Sequence, residues 1–259
     1  MSLDLPLAIR AFEVLLGWSL LLQSAEYLRV QRIDRVGDWR IQRAEVPNAW
    51  VRQWLDFTYK PTLYSILLWL RCTLALALML GHAGLGSAVV LFVMALLILL
   101  RWRGAFNGGS DFMTLVGLTG LLLAHVLGLF TDPAEAWRIA LWYVTVQSLS
   151  SYFVSGWVKL MRPEWRSGHA LTVFLDNGVY GPLSAQSIYR WPHVAKLCSW
   201  SFILWEGLFP LALLDVRLAA LFCAIATVFH FLVFWFFGLN RFFWAWLSTF
   251  PAILYCASV

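Results

Sequence analysis

Charge is scarce in this chain. Asp, Glu, Lys and Arg make up 13% of its 259 residues, about half the share of a soluble globular protein. So little charge, beside 61% apolar residues, excludes an ordinary water-facing surface. Cysteine is sparse as well: Cys72, Cys198, Cys223 and Cys256 are scattered and form no CxxC pair, which excludes a disulfide framework or zinc-type spacing. Gly104 to Gly109 lacks the strand context of a phosphate loop, so no nucleotide is expected, and no metal. There is no low-complexity tail, and no internal repeat of the kind that secondary transporters carry. Residues 7–28 are too long and too charged for a cleavable signal. The ending Cys256-Ala-Ser-Val has no polybasic stretch before it, which argues against prenylation.

What the chain does have is hydrophobic length. Eight apolar segments occupy residues 7–28, 62–81, 86–101, 111–130, 137–160, 197–214, 217–238 and 241–257. About 20 residues of helix cross a bilayer, and lipid-exposed backbone must satisfy its own hydrogen bonds. The expectation is a single membrane domain over 1–259, an all-α polytopic helical bundle of about eight spans. The third and eighth segments are short. A re-entrant eighth would leave seven. Two polar connections, 29–60 and 161–195, interleave cations with Trp39, Trp50, Trp54, Trp165 and Trp191, as amphipathic helices at a membrane interface do. Every Lys and Arg except Arg10, Arg71, Arg138 and Arg217 falls at the connections after spans one, three, five and seven. That asymmetry predicts a cytoplasmic basic side, Lys159 included.

Ionisable residues inside such a bundle are costly and are candidate functional groups. Span one carries Arg10 and Glu13, three apart on one helical face, with Gln23 and Glu26 further on. Arg71 lies mid-span and needs a water-filled cavity or an acidic partner, for which either Glu13 or Glu26 could serve. Glu206 and His230 lie on adjacent antiparallel spans and could meet, the carboxylate then fixing the imidazole tautomer. His125 has no such companion. Asn107-Gly-Gly-Ser-Asp111 reads as a tight turn with Asp111 as a helix cap. Lys159 ends the apolar stretch Tyr152-Phe-Val-Ser-Gly-Trp-Val-Lys159. It either snorkels to the headgroups or works as a base once desolvation lowers its affinity for a proton.

The pattern Tyr-Phe-x-x-Gly-x-x-Lys-Leu-x-x-x-x-Trp-x-x-Gly over Tyr152–Gly168 resembles the horizontally transferred transmembrane domain (HTTM) family, whose best-known branch is the vitamin K-dependent γ-glutamyl carboxylases. The resemblance implies Lys159 as the base toward a reduced isoprenoid quinone, with His230 and Glu206 orienting groups or relaying protons. It places Arg71, Tyr152, Gly156 and Trp165 on the cofactor side, and Asn107, Asp111 and His169 on the substrate side. The chain departs from the carboxylases in having Asn107-Gly-Gly-Ser-Asp111 where they carry a histidine, and in ending after its last span without their large soluble part. It is closer to short bacterial members of the family. The function so implied is quinol-linked modification of a secreted peptide with a partner protein. The alternative is a non-catalytic scaffold binding lipid or peptide in a maturation or export complex. No nucleic-acid partner is expected. In the carboxylases the working lysine faces the lumen, whereas the cation distribution here sets Lys159 on the cytoplasmic side.

Overall fold

The computed structural model describes residues 3–33, 39–102 and 109–259. They form a helical bundle without strands. In chain order the helices are α1 (Leu5–Ile33), α2 (Trp39–Arg43), α3 (Ala49–Thr58), α4 (Pro61–Met79), α5 (Leu85–Trp102), α6 (Ser110–Leu127) and α7 (Pro133–Met161). There follow α8 (Pro163–Ser167), α9 (His169–Asp176), α10 (Pro192–Leu208), α11 (Val216–Phe237), α12 (Asn240–Leu247) and α13 (Phe250–Cys256). Among the described residues, α1, α4, α5, α6, α10 with its 3-10 extension, and α11 are each long and apolar enough to cross a membrane. The chain is an integral membrane protein.

The remaining two expected spans look different, for physical reasons. α7 has 29 residues, about 43 Å of helix, but carries Thr145, Gln147, Ser148, Ser150, Ser151, Ser155 and Lys159. Its buried face, Ala136, Ala140, Val144, Ser148 and Tyr152, repeats every four residues and packs on α6, α10 and α13. Its serines bond carbonyls one turn back, as Ser148 Oγ does to Val144 O at 2.7 Å. The last segment breaks between α12 and α13. Pro251 removes a backbone donor and collides with the preceding turn, while Ser248 and Thr249 bond Ala245 O and Trp246 O at 2.7 and 2.8 Å. The broken helix runs antiparallel to α1. Arg241 reaches Glu26 at 2.9 Å at one end, and Tyr255 and Cys256 join the cluster around Ala8 and Phe12 at the other.

The described parts of the four basic connections share one end of the bundle. Tyr59 donates to Leu97 O at 2.7 Å, tying the segment before α4 to α5, and the Val179 amide donates to Phe236 O at 2.8 Å. At the opposite end Arg10 donates to Met79 O at 2.7 Å and pairs with Glu13. With lipid outside, helices gain by close packing rather than by burial from water, so small residues sit at contacts. Gly17 lies against Ala75 and Met79, Gly120 against Val144, and Gly156 against the backbone of Gly207. This last contact locks α7 to α10 and sets the geometry of the site.

Candidate functional site

On α7, Tyr152, Ser155 and Lys159 fall at i, i+3 and i+7, one helical face. The Gly156–Gly207 contact brings α10 alongside, and with it Glu206. Lys159 Nζ donates to Glu206 Oε2 at 2.5 Å and to Ser155 Oγ at 2.6 Å. It also lies 5.3 Å from the centre of the Trp165 ring. The side chains are 15% and 3% exposed. Ser155 is one turn nearer the helix N-terminus, so the ammonium turns back into the bundle. That geometry excludes snorkelling outward.

A second polar pair lies beside the first. Tyr152 Oη and His230 Nε2 are 2.6 Å apart. Tyr152 stacks on Phe209 at 4.0 Å and 3°, and His230 stacks on Trp246 at 5.0 Å and 16°. Phe242 lies 5.0 Å from the imidazole. This aromatic box fixes both rings, and His230 Nδ1 is buried with no hydrogen-bond partner among the described residues. The expected Glu206–His230 contact is therefore not made. Glu206 is drawn to Lys159 across the glycine contact, and His230 to Tyr152.

Both pairs border a cavity of about 1080 Å³ between α7, α10, α11 and α12. Its walls are chiefly apolar, with Val154, Val158, Phe202, Leu232 and Phe236 among them. Leu171 and Leu175 of α9 and the ring of Trp165 close its end on the basic side. No protein-family model, curated protein or solved structure matches the chain. What the site does must be read from its own atoms.

Of the residues singled out from sequence, Lys159, Glu206, His230, Tyr152 and Trp165 come together at the cavity. Gly156 is a helix-packing residue one layer behind it. His169 is exposed at the start of α9, and Asn107 lies outside the described residues. Arg71 and Asp111 belong to a different network. Arg71 is fully buried and bonds Gln23 Oε1, Ser24 Oγ (2.9 Å) and Leu20 O (3.4 Å). Gln23 Nε2 in turn donates to Asp111 Oδ1 at 2.5 Å, and Tyr27 Oη to Asp111 Oδ2 at 3.3 Å. Neither Glu13 nor Glu26 supplies the expected partner. Glu13 takes Arg10, and Glu26 takes Arg241 and Asn240. An amide relays between guanidinium and carboxylate instead. Asp111 is not the cap: Gly109, at φ 95°, holds that position without a side-chain bond. Among the described residues no group of three His, Cys, Asp or Glu could hold a metal.

Ser155, Phe209, Trp205 and Trp246 escaped the sequence reading. Ser155 alone left a signal, four residues before Lys159 and so on its face. Trp205 and Phe209 are four apart at the end of α10 and its extension, and Trp246 comes from α12, so no spacing joins the two groups to each other.

Proposed function

We propose that the chain is a membrane-embedded, carboxylase-like enzyme of the HTTM type. In this reading it uses a reduced isoprenoid quinone and modifies a secreted peptide delivered by a partner protein. The observation that carries the reading is the inward-turned Lys159–Glu206 pair at the wall of a large apolar cavity. A reduced quinone, when bound, would supply an acidic hydroxyl and reducing electrons.

The cavity residues suit such a group. Its apolar walls match an isoprenoid chain, and the polar atoms sit together at one side, as in ligand pockets generally. The Lys159 ammonium has three N–H donors. Ser155 and Glu206 occupy two of them, leaving one for an oxygen of the ligand. For Lys159 to act as base it must first pass a proton to the neighbouring Glu206 carboxylate. In a low-dielectric site neutralising both partners removes two desolvation costs at once. The free amine then accepts a proton from the ligand. Tyr152 and His230 hold a second proton-exchanging pair beside it. Orientation of the basic end toward the cytoplasm of a bacterial inner membrane is part of the proposal and rests on the cation distribution.

Native mass spectrometry of protein released from nanodiscs, wild type beside Lys159→Ala, tests the reading. A quinone retained by wild type and lost from the variant supports it. Phospholipid alone in both samples sinks it. The full pairing of the buried charges at the cavity also suits a non-catalytic scaffold. Lys159→Arg separates the two, because arginine stays protonated: a scaffold tolerates it, whereas a base does not.

A further inference from the structure

The cavity is not closed on all sides. Val154 and Val158 of α7 and Leu232 of α11 line it, yet they are 55%, 51% and 41% exposed. All three lie within long helices, Val154 and Leu232 about half a turn and Val158 under two turns from the Tyr152–His230 level, and therefore at hydrocarbon depth. Their outward neighbours, Trp157, Phe231 and Trp235, are exposed apolar residues, as a lipid-facing surface requires. The gap between α7 and α11 thus opens toward acyl chains.

The end facing the basic side is differently built. Trp165 leans on Phe174 at 5.9 Å, and Phe174 meets Phe237 at 5.9 Å. Tyr180 lies 6.0 Å from Trp235. Trp165 and Phe174 line the cavity at this end, so a ligand from the water side would pass these two rings, of which Phe174 is itself exposed.

We propose that the gap at Val154, Val158 and Leu232 is the entrance to the cavity, used laterally from the bilayer. Its ligand is an amphiphile with an oxygen-bearing head and a long hydrocarbon chain. The head is drawn inward because, among the described residues, the charged groups lining the cavity are Lys159 and Glu206. The chain has both room and an exit. The volume of about 1080 Å³ is at the upper limit of ordinary small-molecule pockets, roughly 300–1,000 Å³, and the opening leads into the solvent in which such a chain dissolves. A water-soluble ligand would instead have to pass Trp165 and Phe174. This inference deepens the proposed function and rests on its reading of the cavity as a ligand site.

Cys198 lines the cavity and gives a reporter, while Cys72, Cys223 and Cys256 are buried and are not among the lining residues. The full chain is reconstituted into phosphatidylcholine–phosphatidylglycerol vesicles. It is then treated either with N-dodecylmaleimide or with the charged reagent 2-(trimethylammonium)ethyl methanethiosulfonate. Modification of Cys198 is read by peptide mass spectrometry. The chain-bearing reagent should react and the charged one should not. Val158→Trp and Leu232→Trp, which narrow the opening without touching either polar pair, should each slow the dodecyl reagent several-fold. Folding of both variants is checked by their helical circular dichroism and elution volume.

Faster labelling by the charged reagent would overturn the lateral route. So would dodecyl labelling indifferent to both tryptophans, or no labelling by either reagent when denatured protein reacts fully. The outcome is independent of the quinone assay. Lateral labelling without a bound quinone keeps the entrance and removes the quinol reading. A bound quinone with water-side labelling does the reverse.

Discussion

Consider the removal of Lys159. Replacing it by Met keeps the length and apolar stem of the side chain but strands the Glu206 carboxylate, which is 3% exposed and bonded to the ammonium at 2.5 Å. Breaking a buried ion pair from one side costs about 3–5 kcal/mol, since the remaining charge has no compensation. Lys159 retains 15% exposure and Ser155 stays near, so the lower end, about 3 kcal/mol, is expected. A surface pair would be worth only about 0–1 kcal/mol. Glu206→Gln should cost a comparable amount by leaving the ammonium with Ser155 alone. The double variant removes both charges together, so its cost should fall short of the sum by about 2 kcal/mol, roughly a thirtyfold difference in equilibrium constant. Unfolding of all four proteins by sodium dodecyl sulfate in bicelles, followed by helical circular dichroism, gives the cycle. Additivity within about 0.5 kcal/mol would refute the buried pair, and with it the inward-turned ammonium.

Two further outcomes follow from contacts elsewhere. A Cβ on Gly156 meets the backbone of Gly207, whereas one on Gly207 meets nothing within 4 Å. Gly156→Ala should therefore destabilise by about 1–3 kcal/mol through overpacking, and Gly207→Ala should be neutral or stabilising through its better helix propensity; thermal melts in detergent that rank the two the other way would refute the α7–α10 contact. At the interface, Asp56 accepts from Arg43 at 2.8 and 3.0 Å and from Trp39 at 2.8 Å. These bonds, that from Arg43 foremost, hold its carboxyl below the usual value. A depressed carboxyl stabilises the folded state above the unfolded value, about 3.9, and that contribution is lost as pH falls through the folded one. Hydrogen exchange in α2 and α3, corrected for intrinsic rate, should be slow at pH 6 and rise below about pH 4. Asp56→Asn should flatten the dependence.

The bundle was legible because apolar runs of span length admit little but helix. The eighth segment was read as short or re-entrant, and Pro251 explains the broken passage actually taken. Legibility failed for partners. Glu206 and His230 lie at similar depth, which made their contact reasonable. What separates them is a backbone approach at Gly156 and Gly207, and glycine spacing alone names no partner helix. Arg71 failed for a related reason. Charge logic sought an acid, whereas the helix supplied Gln23 and Ser24 and placed the acid on another span. Lys159 stood out because a cation beside a long apolar run has few inexpensive positions.

The polarity of α7 bears on how the protein is assembled. Residues 133–161 carry Thr145, Gln147 and several serines mid-helix, and each such polar group opposes partition into lipid. Its buried hydroxyls, Thr145 and Ser148, are covered by the packing of α7 against α6, α10 and α13. α6 is made before it, but α10 and α13 emerge afterwards. The helix that carries the lysine therefore gains α10 and α13 as packing partners only once residues 192–259 have been made.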